Sequence, residues 1–129
     1  LGYEPESCEQ RGRCSIQYVV EADGSVYPCD FYVLDRYRMG SFLENTVEEL
    51  EQGGRESGFV QATLEPDKEC RACPYLRLCR GGCRRNRETG PDGALGKNYF
   101  CPAYKRFFAA ALPRLREIAA RLRADGRIS

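Results

Sequence analysis

Cys70-Arg71-Ala72-Cys73-Pro74-Tyr75-Leu76-Arg77-Leu78-Cys79-Arg80-Gly81-Gly82-Cys83 sets four thiols in one short run. The spacings x2, x5 and x3 let a single irregular loop wrap a polynuclear centre. Working outward, Cys101 follows seventeen residues later, and Cys8, Cys14 and Cys29 lie beyond a forty-residue gap on the other side. Eight thiols make two sets of four, and four thiolates complete one iron–sulfur cluster or one structural zinc. Histidine is absent, so a mixed Cys/His site is excluded. Pro28, Pro74 and Pro102 stand beside three of the cysteines, and a Cys-Pro step is familiar at ferredoxin clusters. Spacing alone does not say which four cysteines share a centre.

At 129 residues the chain reads as one domain, 1–129, with a modest core held by covalent or metal staples. Disulfides would suit a secreted protein, but no charged-then-apolar leader is visible. Zinc and iron–sulfur both accept four thiolates, and the compact run favours iron–sulfur. No apolar stretch has the length of a membrane span, and a formal charge of +1 gives no strong attraction to nucleic acid or anionic lipid. Two fully thiolate-ligated [4Fe–4S] clusters would move that charge to about −3. Such a shift gives a purpose to Arg71, Arg77, Arg80, Arg84, Arg85 and Arg87, since positive charge near a cluster favours its reduced form. For any one of them, a solvated basic loop is the simpler explanation.

The fold class expected is α+β: an N-terminal β-hairpin, short helices, irregular cysteine loops and a long C-terminal helix. Gln17-Tyr18-Val19-Val20-Glu21 and Ser25-Val26-Tyr27 lie around Asp23-Gly24, a pattern that predicts a hairpin with a type I′ turn. This arm would return the chain from Cys14 to Cys29. Pro28 should end the second strand or leave it on an edge. The aromatic stretch from Phe31 to Phe42 reads as extended, with room for a helical turn. Asn45 or Thr46 can cap a helix through Val47, Leu50 and Gln52 that Gly53-Gly54 would stop. A second weak helix is expected over 56–64, and 86–98, with Gly90, Pro91, Gly93 and Gly96, reads as a loop. After Cys101 an apolar stripe through Tyr104, Phe107, Phe108, Ala111, Leu112, Leu115, Ile118, Ala119 and Leu122 predicts a helix packed on the core, kinked or divided at Pro113.

The text around the cysteines is more specific than their spacing. Val20-Glu21-Ala22-Asp23-Gly24-Ser25-Val26-Tyr27-Pro28-Cys29-Asp30-Phe31-Tyr32 closely resembles the C-terminal auxiliary-cluster (SPASM) domain of radical S-adenosylmethionine (SAM) enzymes that mature other polypeptides. Cys14, Cys29, Cys70, Cys73, Cys79, Cys83 and Cys101 match its seven-cysteine signature, and Cys8 supplies an eighth. Within that group the likeness is to anaerobic sulfatase-maturating enzymes, carried further by 75–85 and by Asn98-Tyr99-Phe100-Cys101.

The resemblance implies interleaved ligation. Cys8, Cys14, Cys29 and Cys83 would hold auxiliary cluster I, and Cys70, Cys73, Cys79 and Cys101 auxiliary cluster II, both [4Fe–4S]. It implies oxidation of a sulfatase cysteine or serine to Cα-formylglycine. A 5′-deoxyadenosyl radical would remove a Cβ hydrogen, a base would take the side-chain proton, and an electron would leave. Asp30 matches the position of that base, and a nearby anionic cluster would raise its pKa; its alternative role is a local backbone hydrogen bond. SAM and a third [4Fe–4S] cluster belong to a barrel with a Cys-x3-Cys-x2-Cys loop, which this sequence lacks. The chain therefore reads as the C-terminal part of a longer enzyme, inactive alone. The partners expected are a sulfatase polypeptide and an electron acceptor such as flavodoxin or ferredoxin, for a cytoplasmic monomer. Two other functions stay open: a peptide-crosslinking SPASM enzyme, and a zinc-stapled interaction module.

Overall fold

The computed structural model describes residues 3–87 and 94–128. Strand β1 (Val19–Val20) pairs antiparallel with β2 (Ser25–Tyr27), Val19 opposite Tyr27 and Val20 opposite Val26. The hairpin expected from Asp23-Gly24 is present, but its turn is not type I′. The Gly24 N–H donates to the Glu21 carbonyl and the Glu21 N–H to the Ser25 carbonyl, so the loop has three residues. Only Gly24 is left-handed, at φ 83°. Asp23 instead accepts hydrogen bonds from the Ser25 N–H (2.9 Å) and hydroxyl (3.1 Å), a side-chain clasp that a two-residue turn would lose.

Strand β2 ends before Pro28, whose carbonyl accepts the Gln17 N–H at 2.8 Å and so continues the pairing without a proline donor. The other side of β2 is covered by β3 (Gly40–Ser41), reached through 3₁₀ turns at Asp30–Tyr32 and Asp35–Tyr37. The aromatic stretch is thus two helical turns and a short strand rather than one extended segment.

Helix α1 (Val47–Glu56) opens on a capping box: the Thr46 hydroxyl accepts from the Glu49 N–H, and the Glu49 carboxylate accepts from the Thr46 N–H. Gly53-Gly54 do not stop it. A Cβ on Gly53 would overlap the Met39 carbonyl, and one on Gly54 would lie 3.0 Å from Met39 Cε. The glycines cost helix propensity, about 1 kcal/mol each, but let α1 close onto the segment before β3. The expected 56–64 helix shrinks to a 3₁₀ turn at Gln61–Thr63, because Gly58, at φ 65°, turns the chain out of helical geometry.

Two small clusters form the core. Val26, Met39 and Leu50 pack with Ile16 and Tyr18 under the sheet. Tyr32, Tyr37 and Phe59 meet edge-to-face, ring centres 4.9 to 5.5 Å apart, against Cys14 and Cys29. Aromatic packing therefore sits directly behind two of the cysteines.

Short helices α2 (Lys68–Arg71) and α3 (Leu76–Cys79) lead to α4 (Cys101–Ala124). The 24-residue α4 passes through Pro113 without dividing, which corrects the expectation of two abutting helices. Its apolar stripe is not a core face along its length either. Phe108 is buried and stacks on Tyr75 and Tyr104, but Phe107, Leu115 and Ile118 are 60%, 41% and 42% exposed. An amphipathic period reports that a face is apolar, not what covers it. Among the described residues no helix is long and apolar enough to cross a membrane.

Candidate metal centres

The eight cysteines divide four and four between two cavities. Cys8, Cys14, Cys29 and Cys83 line the first, site I, with a volume of about 190 Å³. Cys70, Cys73, Cys79 and Cys101 line the second, site II, of about 20 Å³. None of the eight forms a disulfide.

Three separate segments build site I: the N-terminal loop with Cys8 and Cys14, the end of the hairpin with Cys29, and the stretch at Cys83. Cys8 begins a 3₁₀ turn, Cys8–Gln10, and is exposed. The Cys14 N–H donates to Thr63 Oγ1 at 3.0 Å, and that hydroxyl donates to the Val60 carbonyl, tying the first loop to the turn after α1. Cys29 comes directly after the buried Pro28 at the end of the hairpin. Cys83 arrives from the far half of the sequence.

Site II is mostly local. Cys70 lies in α2, whose start is capped by Asp67 accepting from the Glu69 N–H at 2.8 Å. The Cys73 N–H donates to the Cys70 carbonyl, Cys79 ends α3, and Cys101 begins α4 with its N–H on the Asn98 carbonyl. Tyr75, Leu76, Tyr104 and Phe108 complete the wall, and Lys97 pairs with Glu69 at 2.6 Å beside the opening. Four thiols round one cavity give site II the donor set of a thiolate-ligated metal centre.

What separates Cys83 from the run it belongs to in sequence is a change of backbone hand. Arg80, Gly81 and Gly82 all adopt left-handed conformations, φ 53°, 88° and 70°. This turn sends Cys79 to one cavity and Cys83 to the other. Gly81 borders site II and Gly82 borders site I. Buried Asn98 braces the turn, its side-chain amide donating to the Gly81 carbonyl at 3.0 Å. A Cβ on Gly82 would stand 2.5 Å from that amide nitrogen.

The thiol electrostatics follow the same division. Burial pushes the Cys14 thiol up; Cys83 and Cys8 add to this, while Arg84 opposes it. Burial raises Cys29 to about 11, partly offset by the Phe31 N–H, with Asp30 and Cys14 adding to the rise. Burial also raises Cys70 and Cys79, each of which feels Cys101. Without a cation these thiols stay protonated; a metal centre would ionise them, and the donor chemistry is that of a thiophilic metal. Among the described residues, no three Cys, Asp or Glu side chains converge tightly enough to ligate one ion.

Asp30 stands at the exposed wall of site I. Its carboxylate accepts from the Cys29 thiol at 3.3 Å and from the Phe31 N–H at 3.1 Å, so the local backbone bond is made while the group still faces the cavity. Arg85 lies over the adjoining Phe31 ring at 4.3 Å.

Of the six arginines near the cysteines only Arg84 and Arg87 are buried, 4% and 3% exposed. Arg84 donates to the Phe59 carbonyl and the Tyr37 hydroxyl, its guanidinium 4.5 to 5.2 Å from the Tyr32, Tyr37 and Phe59 ring centres. Arg71, by contrast, pairs with Glu65 in solvent. Sequence reading treated the six alike and missed the bracing role of Asn98; the one visible signal was Gly81-Gly82, a pair that invites left-handed backbone. In the expected 86–98 loop, residues 88–93, with Gly90, Pro91 and Gly93, lie outside the described residues.

The SPASM iron–sulfur cluster-binding domain model matches residues 8–74, just over half the chain. The cysteine-type anaerobic sulfatase-maturating enzyme of Clostridium perfringens (strain ATCC 13124) is 48% identical over 113 residues, covering 88% of this chain and 30% of that enzyme. The serine-type anaerobic sulfatase-maturating enzyme of Bacteroides thetaiotaomicron is 30% identical over 115 residues, 88% of this chain and 28% of that enzyme. A solved structure of native anSMEcpe with bound AdoMet and Cp18Cys peptide superposes with a TM-score of 0.82 at 47% identity, covering 90% of this chain and 32% of that one. The chain thus spans about a third of the length of the proteins it matches.

Proposed function

The chain belongs to the SPASM family of iron–sulfur cluster-binding domains, and from that premise we propose that it is the auxiliary-cluster domain of a radical SAM enzyme that oxidises a sulfatase residue to Cα-formylglycine. Cys8, Cys14, Cys29 and Cys83 would hold one [4Fe–4S] centre, and Cys70, Cys73, Cys79 and Cys101 the other. When bound, these centres supply one-electron acceptors close to the peptide. The single observation that carries the reading is the gathering of eight free thiols, four and four, round two cavities, one of which has a carboxylate on its open wall.

The chain's own residues do three things in this scheme. The cysteines fix two acceptors at a set separation. Pro28 and the 3₁₀ turn at Asp30–Tyr32 hold Asp30 at the mouth of site I, where its carboxylate would take the proton from the substrate side chain as the radical removes a Cβ hydrogen; a centre held by the site I cysteines would supply the acceptor for the released electron. The Tyr32, Tyr37 and Phe59 trio keeps water from the back of site I. SAM, the third cluster and the electron acceptor, a flavodoxin or ferredoxin, belong to the rest of the enzyme and the cell. A cysteine target is favoured over serine, because the cysteine-type relative is 48% identical and the serine-type one 30%.

The test uses the full-length enzyme, reconstituted without oxygen. About eight auxiliary irons and as many sulfides are expected beyond the barrel cluster. Asp30→Asn should lower formylglycine formation on a cysteine peptide by about 100-fold or more while keeping that iron. Full turnover in the variant would remove Asp30 as the base, and two zincs with no sulfide in the wild type would overturn the redox reading.

A further inference from the structure

Arg87 lies between the two cysteine cavities. It is 3% exposed, and among the described residues no carboxylate is within ion-pair distance of it. Its guanidinium donates to two backbone carbonyls, Gly12 at 3.4 Å and Glu65 at 3.3 Å. Gly12 belongs to the loop that joins Cys8 to Cys14, and Glu65 to the segment that enters Cys70. One planar fork therefore holds a loop of site I and a loop of site II. The guanidinium also lines the site I cavity and packs against Gly81, which lines site II; a Cβ built there would be 3.7 Å from its Cζ and Nη1.

Among the described residues the Arg87 guanidinium meets only carbonyl dipoles, which offset only part of the cost of burying its charge. The partners that would complete it are negative charges on both sides of the Gly81-Gly82 turn. We infer that Arg87 is the shared counter-ion of the two centres, bracing both loops and making one-electron reduction of each centre easier. This rests on the two-centre reading above. Each fully thiolate-ligated [4Fe–4S] centre goes from a charge of about 2− to about 3− on taking one electron, with no proton required, so a fixed cation close by stabilises the product more than the reactant. Arg84, by contrast, donates to the Phe59 carbonyl and the Tyr37 hydroxyl behind site I, and no bond described for it reaches a site II loop.

The experiment is an anaerobic redox titration of the reconstituted full-length enzyme with dithionite as the electron source. Paramagnetic resonance follows each centre, and iron and sulfide are assayed in every sample. Arg87→Gln should cut the reduced-to-oxidised ratio of both auxiliary centres at least tenfold at a fixed solution potential, about 59 mV for a one-electron couple. Arg87→Lys should change either by less than threefold, and Arg71→Gln, a solvated control beside Cys70, should change neither. A shift at only one centre, or full iron with no shift in Arg87→Gln, overturns the inference. If Arg87→Gln sheds its iron, Arg87→Lys decides. Iron retained in the lysine variant supports a charge role, and iron lost there too overturns it in favour of fork geometry alone. A wild-type enzyme without auxiliary iron would instead sink the two-centre reading.

Discussion

Sites I and II use the same four-thiol chemistry but are built in opposite ways. Site II draws three of its cysteines from ten consecutive residues, is drawn in to about 20 Å³ and has aromatic walls. Site I draws its cysteines from three segments spread over residues 8 to 83, is far roomier, and carries Asp30, Arg84 and Arg87 in its lining. One is a local loop closed by the start of a helix. The other is a tertiary junction where hairpin, aromatic trio and arginine-rich segment meet. The difference teaches that a set of ligands can be local in chemistry and global in structure. Site I has a carboxylate and two buried arginines in its wall, and site II has Tyr75, Tyr104 and Phe108 with the Lys97–Glu69 pair beside its opening.

The largest break of this contrast is to remove one thiol from each. Cys83→Ala should cost the fold as well as the centre: iron below about four per auxiliary domain, and fast proteolysis near Arg13 and Arg36. Cys73→Ala should leave site I loaded, with about four irons and the wild-type proteolytic pattern. Equal damage from both would erase the distinction between junction and loop.

The next test is Gly82→Ala. It puts a Cβ on a residue at φ 70° and drives it toward the Asn98 amide, a cost of roughly 1–3 kcal/mol in the turn that separates the two sets. Both sites should lose metal together, since Cys79 and Cys83 flank the turn; a loss confined to one would show that the turn is not shared. Asn98→Ala in the same background should recover part of the loss by removing the colliding amide.

The smallest effect is in pH. A folded apoprotein keeps Cys29 protonated up to about 11, above its ordinary 9.0. The raised value means that Cys29 contributes stability fully below pH 9 and loses it as the pH climbs to 11. Thermal melts of the apo enzyme across that window should fall, and Cys29→Ser should flatten the fall more than Cys70→Ser, whose thiol is also raised by burial. An equal slope in all three would remove the electrostatic difference between the sites.

Much of this was legible in the chain. The Asp23-Gly24 hairpin, the Thr46 cap and the helix after Cys101 are local signals, and each formed. The turn type was not legible, because Asp23 chose a side-chain clasp over left-handed backbone. Gly53-Gly54 read as a stop, because only the fold reveals how close Met39 comes. The α4 stripe read as core, because periodicity cannot name a covering surface. Which cysteines converge was out of reach of spacing: three left-handed residues redirect Cys83, and that is a property of backbone rather than of interval. The two buried arginines were hidden among six for the same reason, since burial comes from the tertiary fold and not from arginine itself.

The interleaved order of the cysteines has a mechanical consequence. Were the loaded domain pulled from its ends, tension would run from Cys8 across site I to Cys83 and from there into α4. The hairpin, the sheet and α1 would hang off the load line, slack and protected. Only when site I tore would the strand between Cys8 and Cys70 be taken up, while site II still clamped Cys70 to Cys101. The first extension released would be about 200 Å.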